Sequence, residues 1–143
     1  MKRIISKPLS RNDLGLTGSH QSGMCIPRGL VKFFPNLDSK EKNPRIALKV
    51  CDKNNEYWQF NYIYYNNKLF GGTRNEYRMT RMTSFFKKHN LKHGDRIQFM
   101  CASLDNEYNI SVIANNSYNN EQNRSKSTWH KRTVIISDWE VEV

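Results

Sequence analysis

Four stretches of this chain switch between apolar and polar residues at every step, and that period of two restricts the fold more than any other feature. From Arg45 to Asp52, Ile46, Leu48 and Val50 alternate with Arg45, Ala47 and Lys49. From Tyr57 to Tyr65, the side chains of Trp58, Phe60, Tyr62 and Tyr64 fall on one side. The pattern returns from Arg96 to Ala102 (Ile97, Phe99, Cys101) and from Tyr108 to Ala114 (Tyr108, Ile110, Val112). Extended backbone turns successive side chains to opposite faces, so each stretch reads as a strand with one buried face. Asp52-Lys53-Asn54-Asn55, Lys92-His93-Gly94-Asp95 and Asp105-Asn106 read as the turns between strands. Ile4 to Leu9, Met24 to Ile26, Glu76 to Thr80 and Thr133 to Val143 add shorter strand candidates.

Two segments have helical character. Arg28 to Phe34 is stopped by Pro35, which cannot continue a helix. Arg81 to Asn90 spaces Met82, Phe85 and Phe86 for one face, with Thr80 or Thr83 available as cap and Lys87, Lys88 and His89 at the negative end. About seven or eight short strands with two short helices, and no internal repeat, predict a mainly β, closed or nearly closed barrel. At 143 residues the chain is long enough for one domain with a core of its own, and 17 aromatic residues can fill it. The expected organisation is a domain over 1–114, a polar, asparagine-rich loop or linker over 115–132, and an additional strand or the start of an interdomain segment over 133–143.

Charge bounds the partner. Lys and Arg number 23 against 13 Asp and Glu, a net +10, which favours polyanions: nucleic acid first, an anionic membrane second. No run approaches the roughly 18 apolar residues of a membrane span, and Met1 to Ser10 has no apolar signal region. No membrane association is expected. Cys25, Cys51 and Cys101 are odd in number and form no CxxC, so neither a disulfide framework nor a zinc site is read. They are expected as small buried apolar side chains in a reducing, cytoplasmic compartment.

Two loops carry the chemistry. The first, Asp13 to Gly23, surrounds His20 and Gln21 with Thr17, Ser19, Ser22 and glycines. These groups reach phosphates or base edges, and glycine lets backbone approach closely; the same composition also suits an ordinary surface loop. The second, Lys68 to Arg81, sets Lys68, Arg74, Arg78 and Arg81 against one acid, Glu76. Arginine forks onto guanine, asparagine pairs with adenine, and a carboxylate accepts from cytosine. Glu76 either holds Arg74 or Arg78 in place or reads a cytosine, and the two roles are compatible. In extended backbone Arg74, Glu76 and Arg78 share one face, while Asn75, Tyr77 and Met79 share the other; the alternative is the charged face of an edge strand.

Candidates for catalysis are thin. Asp38-x-Lys40 is the nearest fragment to a nuclease Asp/Glu-x-Lys element, without an upstream Pro-Asp strand. His89 and His93 stand four apart beside a turn and read as solvated or phosphate-facing, not as metal ligands. The aromatic stripe of Trp58, Phe60, Tyr62 and Tyr64 suits a barrel core and, alternatively, stacking of single-stranded bases. A complete small Mg²⁺-dependent nuclease and a single-strand binder of OB type therefore stand as the rival readings.

The order of motifs carries a resemblance. A first strand is followed by a loop with Ser10, Asp13 and Gly15, then by Ile26-Pro27-Arg28 and a short helix ending at Phe33-Phe34-Pro35. The hairpin Tyr57-Trp58-Gln59-Phe60, then Met79-Thr80, the Phe85-Phe86 helix and Asn90-Leu91-Lys92-x-Gly94-Asp95 follow in sequence. This order resembles the plant B-three DNA-binding domains. Thr17 to Gly23 and Gly72 to Thr80 are similar to their bacterial branch, the N-terminal effector domain of EcoRII-type restriction endonucleases. The resemblance runs from about Ile4 to Ala114.

It implies a seven-stranded DNA-binding pseudobarrel, an open β-barrel whose two arms grip the major groove of double-stranded DNA at a short C/G-rich site such as CCGG or CCWGG. The N-arm is then Ser10 to Met24 and the C-arm Asn66 to Arg81. Ser19, His20, Gln21, Arg74, Asn75, Glu76 and Arg78 are implied to read bases. Lys68, Arg81, Thr17, Thr73 and Lys7 or Arg11 are implied to hold the DNA backbone. DNA binding itself needs no cofactor, and Mg²⁺ is expected only for a separate, covalently linked nuclease domain. The plant domains lack the Arg74-Asn75-Glu76-x-Arg78 run, so their target sequences do not transfer.

Overall fold

The computed structural model describes residues 2–17, 23–102, 107–115 and 132–142. Nine strands occur among them: β1 (Lys2–Pro8), β2 (Met24–Ile26), β3 (Arg45–Cys51), β4 (Tyr57–Tyr65), β5 (Glu76–Thr80), β6 (Arg96–Ala102), β7 (Glu107–Ile113), β8 (Thr133–Ile136) and β9 (Trp139–Glu142). They form a single mainly β sheet in the order β2-β5-β4-β3-β7-β6-β1-β9-β8. Neighbours are antiparallel except β3 and β7, which run parallel where Val50 meets Tyr108 and Cys51 meets Asn109. The helical pieces are a 3-10 helix over Arg28–Phe33, another over Asn67–Phe70, and α1 over Thr83–Lys88.

Alternation placed the core correctly. Leu48, Val50, Phe60, Tyr62, Tyr64, Ile97, Phe99, Cys101, Tyr108 and Ile110 are all buried. Phe34 sits at the centre of an aromatic cluster, its ring centroid 5.0 Å from Tyr62, 6.0 Å from Phe99 and 5.9 Å from Tyr108. The Tyr108 hydroxyl donates to the Phe33 carbonyl at 2.7 Å, so this buried phenol is satisfied and fastens the 3-10 helix to the barrel. Phe60, Tyr62 and Tyr64 of the aromatic stripe face this core, and Trp58 packs edge-on against Phe85 at 5.4 Å.

β1 to β7 supply the seven strands of the pseudobarrel, and the segment 133–142 adds a hairpin where one strand was expected. Ser137, in the left-handed region at φ 55°, reverses the chain there. β9 then pairs with β1 at Ile5–Val141 and Ser6–Glu140. Trp139, fully buried, donates its indole N–H to the Cys25 carbonyl on β2 at 3.3 Å and lies 6.3 Å from Phe99. Because β2 and β9 stand near opposite ends of the strand order, this contact curls the sheet toward closure.

Other expectations are corrected. The segment after Pro27 is a 3-10 helix, which Phe34 ends in extended backbone. Helix α1 begins after Met82 without a side-chain cap, so neither Thr80 nor Thr83 caps it; Arg81, at φ 62°, makes the turn instead. Ile46 is exposed because β7 borders β3 only at Val50 and Cys51, leaving the start of β3 uncovered. Cys101 is buried as expected, but Cys51 is half-buried and Cys25 exposed. The Asp105-Asn106 turn and nearly all of the polar segment 115–132 lie outside the described residues.

Asp52 closes the β3–β4 turn. Its carboxylate accepts the Asn54 and Glu56 amides at 2.8 and 3.0 Å and the Trp58 indole N–H at 3.0 Å. Burial by itself raises its pKa, but the Trp58, Glu56 and Asn54 hydrogen bonds and nearby His89 outweigh it and hold the value below the ordinary 3.8. A depressed carboxyl contributes stability in full above its unfolded pKa and loses it as pH falls through the folded pKa. Acid titration of unfolding is expected to show this loss in the wild type and a flatter acid limb in Asp52→Asn.

Candidate nucleic-acid interface

The two loops emerge at opposite ends of one ladder. β2 pairs with β5 at Met24–Met79, Cys25–Arg78 and Ile26–Tyr77, so the N-arm reaches the ladder beside Met79 and Thr80. The C-arm enters β5 at Glu76, where Tyr65 of β4 faces it. Glu76 to Thr80 is four steps of strand, about 13 Å at roughly 3.3 Å per residue.

At the foot of the N-arm, Gly23 adopts φ +103°, and a Cβ there would lie 2.3 Å from the Met79 carbonyl oxygen. Only glycine permits both the conformation and the approach. At the other root, Ser10 and Asp13 bond reciprocally: the Ser10 amide donates to Asp13 Oδ2 at 2.9 Å and the Asp13 amide to Ser10 Oγ at 3.1 Å. Thr17 Oγ1 donates to Asn12 Oδ1 at 3.0 Å, and Arg11 and Thr17 are exposed. Ser19, His20 and Gln21 lie outside the described residues.

Asn66, fully buried, roots the C-arm. Its amide nitrogen donates to the Ser39 and Glu41 carbonyls at 3.2 and 2.7 Å, and its Oδ1 accepts the Asn43 amide at 2.7 Å. The arm then folds back on itself through the Lys68 amide to the Arg74 carbonyl at 2.9 Å and the Gly72 amide to the Asn67 carbonyl at 2.8 Å. Lys68 and Thr73 are exposed, and Leu69 and Phe70 present apolar surface beside them. Arg74 lies flat over Tyr65, its Cζ 3.6 Å from the ring centroid. Its Nε and Nη2 grip Glu76 Oε1 at 2.9 and 2.8 Å. Glu76 therefore holds Arg74, one of the two roles open to it, and the stacked, paired guanidinium is pre-oriented at the arm's surface.

The faces alternate as expected, but two residues have other duties. Arg78, only 5% exposed, donates through Nη2 to the Gly23 carbonyl at 3.3 Å. It stands opposite Cys25 in the β2–β5 ladder and braces the foot of the N-arm in this conformation. Lys7, 3% exposed, meets Asp13 at 2.6 Å and Asp138 at 2.8 Å, an internal ion pair and not an open phosphate contact. Arg81 and Arg11 remain exposed, as phosphate contacts require.

The structure adds to the site a residue that the sequence reading did not propose there. Exposed Arg28 donates through Nη2 to Asn75 Oδ1, which also accepts the Tyr64 hydroxyl at 2.8 Å. Tyr64 stacks on Tyr77, centroids 4.2 Å apart and planes 5° from parallel. Burial, and then Tyr64, raise the Tyr77 pKa, so its phenol stays protonated. Arg28 stood in the sequence within Ile26-Pro27-Arg28, but nothing local pointed it at Asn75, 47 residues away. Cys25, beside Arg78, is exposed as a residue but its thiol is partly desolvated against its neighbours; that desolvation, and then Glu76, raise its pKa and keep it a neutral thiol.

The fragments weighed for catalysis are elsewhere. Asp38 Oδ1 accepts the Lys40 amide at 2.9 Å in a surface turn. His89 is only partly exposed: it packs 4.4 Å from Phe85 and lies 3.5 Å from Asp52, whereas His93 is exposed.

Comparison with known proteins gives a consistent picture. The sequence model of the family described as Restriction endonuclease EcoRII, N-terminal matches residues 2–98. The Type II restriction enzyme EcoRII of Escherichia coli is 37% identical over 121 residues, covering 78% of this chain and 30% of that protein. This chain thus spans under a third of the length of that relative. Among solved structures, the Arabidopsis FUS3-DNA complex matches with a TM-score of 0.59 at 24% identity, covering 76% of this chain and 93% of that one. The N-terminal domain of Helicobacter pylori LlaJI.R1 matches with a TM-score of 0.55 at 13% identity, covering 99% and 98%. The last two similarities establish the pseudobarrel fold.

Proposed function

Because this chain belongs to the family of EcoRII restriction endonuclease N-terminal domains, we propose that it binds double-stranded DNA in a sequence-specific manner, as the cytoplasmic target-recognition module of a Type II restriction enzyme. The observation that carries this reading is the pair of loops rooted at opposite ends of β5; at roughly 3.3 Å per residue that strand spans about 13 Å, comparable to the roughly 12 Å width of the major groove. Ser19, His20 and Gln21 of the N-arm, and Arg74, Asn75 and Glu76 of the C-arm, are the proposed base readers. Lys68, Thr73, Arg81, Arg11 and Thr17 are the proposed backbone contacts, and Arg78 and Lys7 hold the arms from beneath. The net charge of +10 supplies salt-dependent affinity for any duplex, and base contacts add discrimination.

The proposed target is a short C/G-rich site, CCGG- or CCWGG-like, with arginine reading guanine. Glu76 has one oxygen engaged by Arg74, so its other oxygen is the acceptor for a cytosine amine. Cleavage would belong to a linked nuclease domain using Mg²⁺. Selecting bound duplexes from a random pool tests the whole reading. Equal or tighter binding of single strands, or Mg²⁺-dependent cleavage of a plasmid by this chain, would point to the rival activities instead.

Arg74→Ala is expected to cost about 1–3 kcal/mol on the selected duplex and much less on random DNA. Lys68→Ala or Arg81→Ala is expected to weaken all duplexes alike and to lower the salt slope by about 1. Fluorescence anisotropy across a salt series measures both. Equal losses on both DNAs for Arg74→Ala would reduce it to a phosphate contact.

A further inference from the structure

We propose that Arg28 is a specificity-determining positioning residue: by occupying Asn75 Oδ1 it makes Asn75 a donor-only reader of the base it faces. The inference rests on the DNA-binding reading above and adds a base preference to it. A carboxamide oxygen has two lone pairs. Here the Arg28 guanidinium takes one and the Tyr64 hydroxyl the other, at 2.8 Å. Each donor has a second contact. Tyr64 is 6% exposed and stacked on Tyr77. Arg28 projects from the first position of the 3-10 helix, with its Cζ 6.0 Å from the Tyr64 ring centroid. Asn75 itself is exposed, at the junction of the C-arm with β5, with its NH₂ group as the remaining polar function.

The chemical consequence is specific. A free asparagine recognises adenine with two bonds, donating to N7 and accepting from the N6 amine. With its oxygen committed, Asn75 keeps only the donating half. Guanine, with O6 and N7, and thymine, with O4, offer acceptors that satisfy it. Adenine and cytosine present an amine that finds no acceptor and loses its water on binding. The Arg28–Asn75–Tyr64 arrangement therefore favours guanine or thymine over adenine or cytosine at one position. Removing Arg28 frees one lone pair and restores the two-bond pairing with adenine.

The test uses the full chain as wild type, Arg28→Ala, Arg28→Lys and Asn75→Ala, each put through selection from a random duplex pool. Arg28→Ala is expected to improve adenine relative to guanine by about fivefold or more, the scale of one hydrogen bond, at the single position where Asn75→Ala erases preference. Arg28→Lys, which keeps a donor, is expected to retain the wild-type preference. A uniform loss across all duplexes in Arg28→Ala, or a change at a position Asn75→Ala does not touch, would overturn the proposal. The DNA-free protein gives an independent readout: the Asn75 side-chain amide resonances should move in Arg28→Ala and less in Arg28→Lys. Unmoved resonances overturn the Arg28–Asn75 link whatever the DNA result. Moved resonances with no duplex selected by the wild type overturn the DNA-binding reading, and the specificity role with it.

Discussion

Trp139→Ala is expected to lower the unfolding free energy by about 3–5 kcal/mol, the range for truncating a fully buried large aromatic side chain. At roughly 2–4 °C per kcal/mol for a chain of this size, the melting temperature falls by about 10 °C. Trp139 lies beyond residues 2–98, the segment that matches the family, yet it is among the largest fully buried side chains. It touches Phe99 in the core and donates to the Cys25 carbonyl, so its loss opens a cavity and leaves a β2 carbonyl without its partner. Ile136, next to the same hairpin turn, packs within 3.0 Å of where a Cβ on Gly29 would stand, which ties the hairpin to the 3-10 helix as well. Val134→Ala, at a position 49% exposed on β8, is the control and should change stability by less than about 0.5 kcal/mol. Thermal melts followed by near-ultraviolet dichroism check both. A shift below about 2 °C for Trp139→Ala would show that the hairpin is an appendage and not part of the curled sheet's core.

Lys7→Ala is expected to cost a similar 3–5 kcal/mol, because it strips the counter-ion from a buried carboxylate. Asp13 is 4% exposed, with Lys7 at 2.6 Å, while the second partner, Asp138, is largely solvated. The penalty is thus concentrated on Asp13, whose other bond to the Ser10 amide shapes the start of the N-arm. The double variant Lys7→Met/Asp13→Leu removes both charges together and should recover most of the stability, since a well-packed apolar pair commonly equals a buried ion pair. Urea unfolding of the single and double variants separates the two terms. If Lys7 instead served as a phosphate contact, Lys7→Ala would leave stability intact and reduce only the salt dependence of DNA binding.

These two residues also show where sequence reasoning stops. Lys7 stands in a strand that also carries Lys2 and Arg3, and it looks like surface charge. Its burial depends on Asp13, six residues on, and Asp138 at the far end of the chain, and no local pattern records that meeting. Arg78 was legible as a member of the face with Arg74 and Glu76, but alternation assigns a face without saying what covers it. The structure adds that Arg78 is 5% exposed and bonded to the Gly23 carbonyl, a contact 55 residues away that no local pattern records. Arg28 was visible in its motif and its partner was not. Trp139 reads as strand, but nothing local signals the hairpin turn at Ser137, because a serine is not a strong signal for left-handed backbone.

The order of residues by itself determined the strands of the barrel, the inward set of aromatic side chains, the positions of the two basic and small-residue loops, and the family. Period-two alternation and turn chemistry are local properties, and a strand's face follows from them once extended backbone is granted. Only the tertiary structure decided which cations are free for a partner, which are spent on holding the arms, and which donor fixes Asn75. Those outcomes depend on contacts between residues dozens of positions apart, where burial and a single hydrogen-bond partner decide whether the same side chain serves the scaffold or the surface.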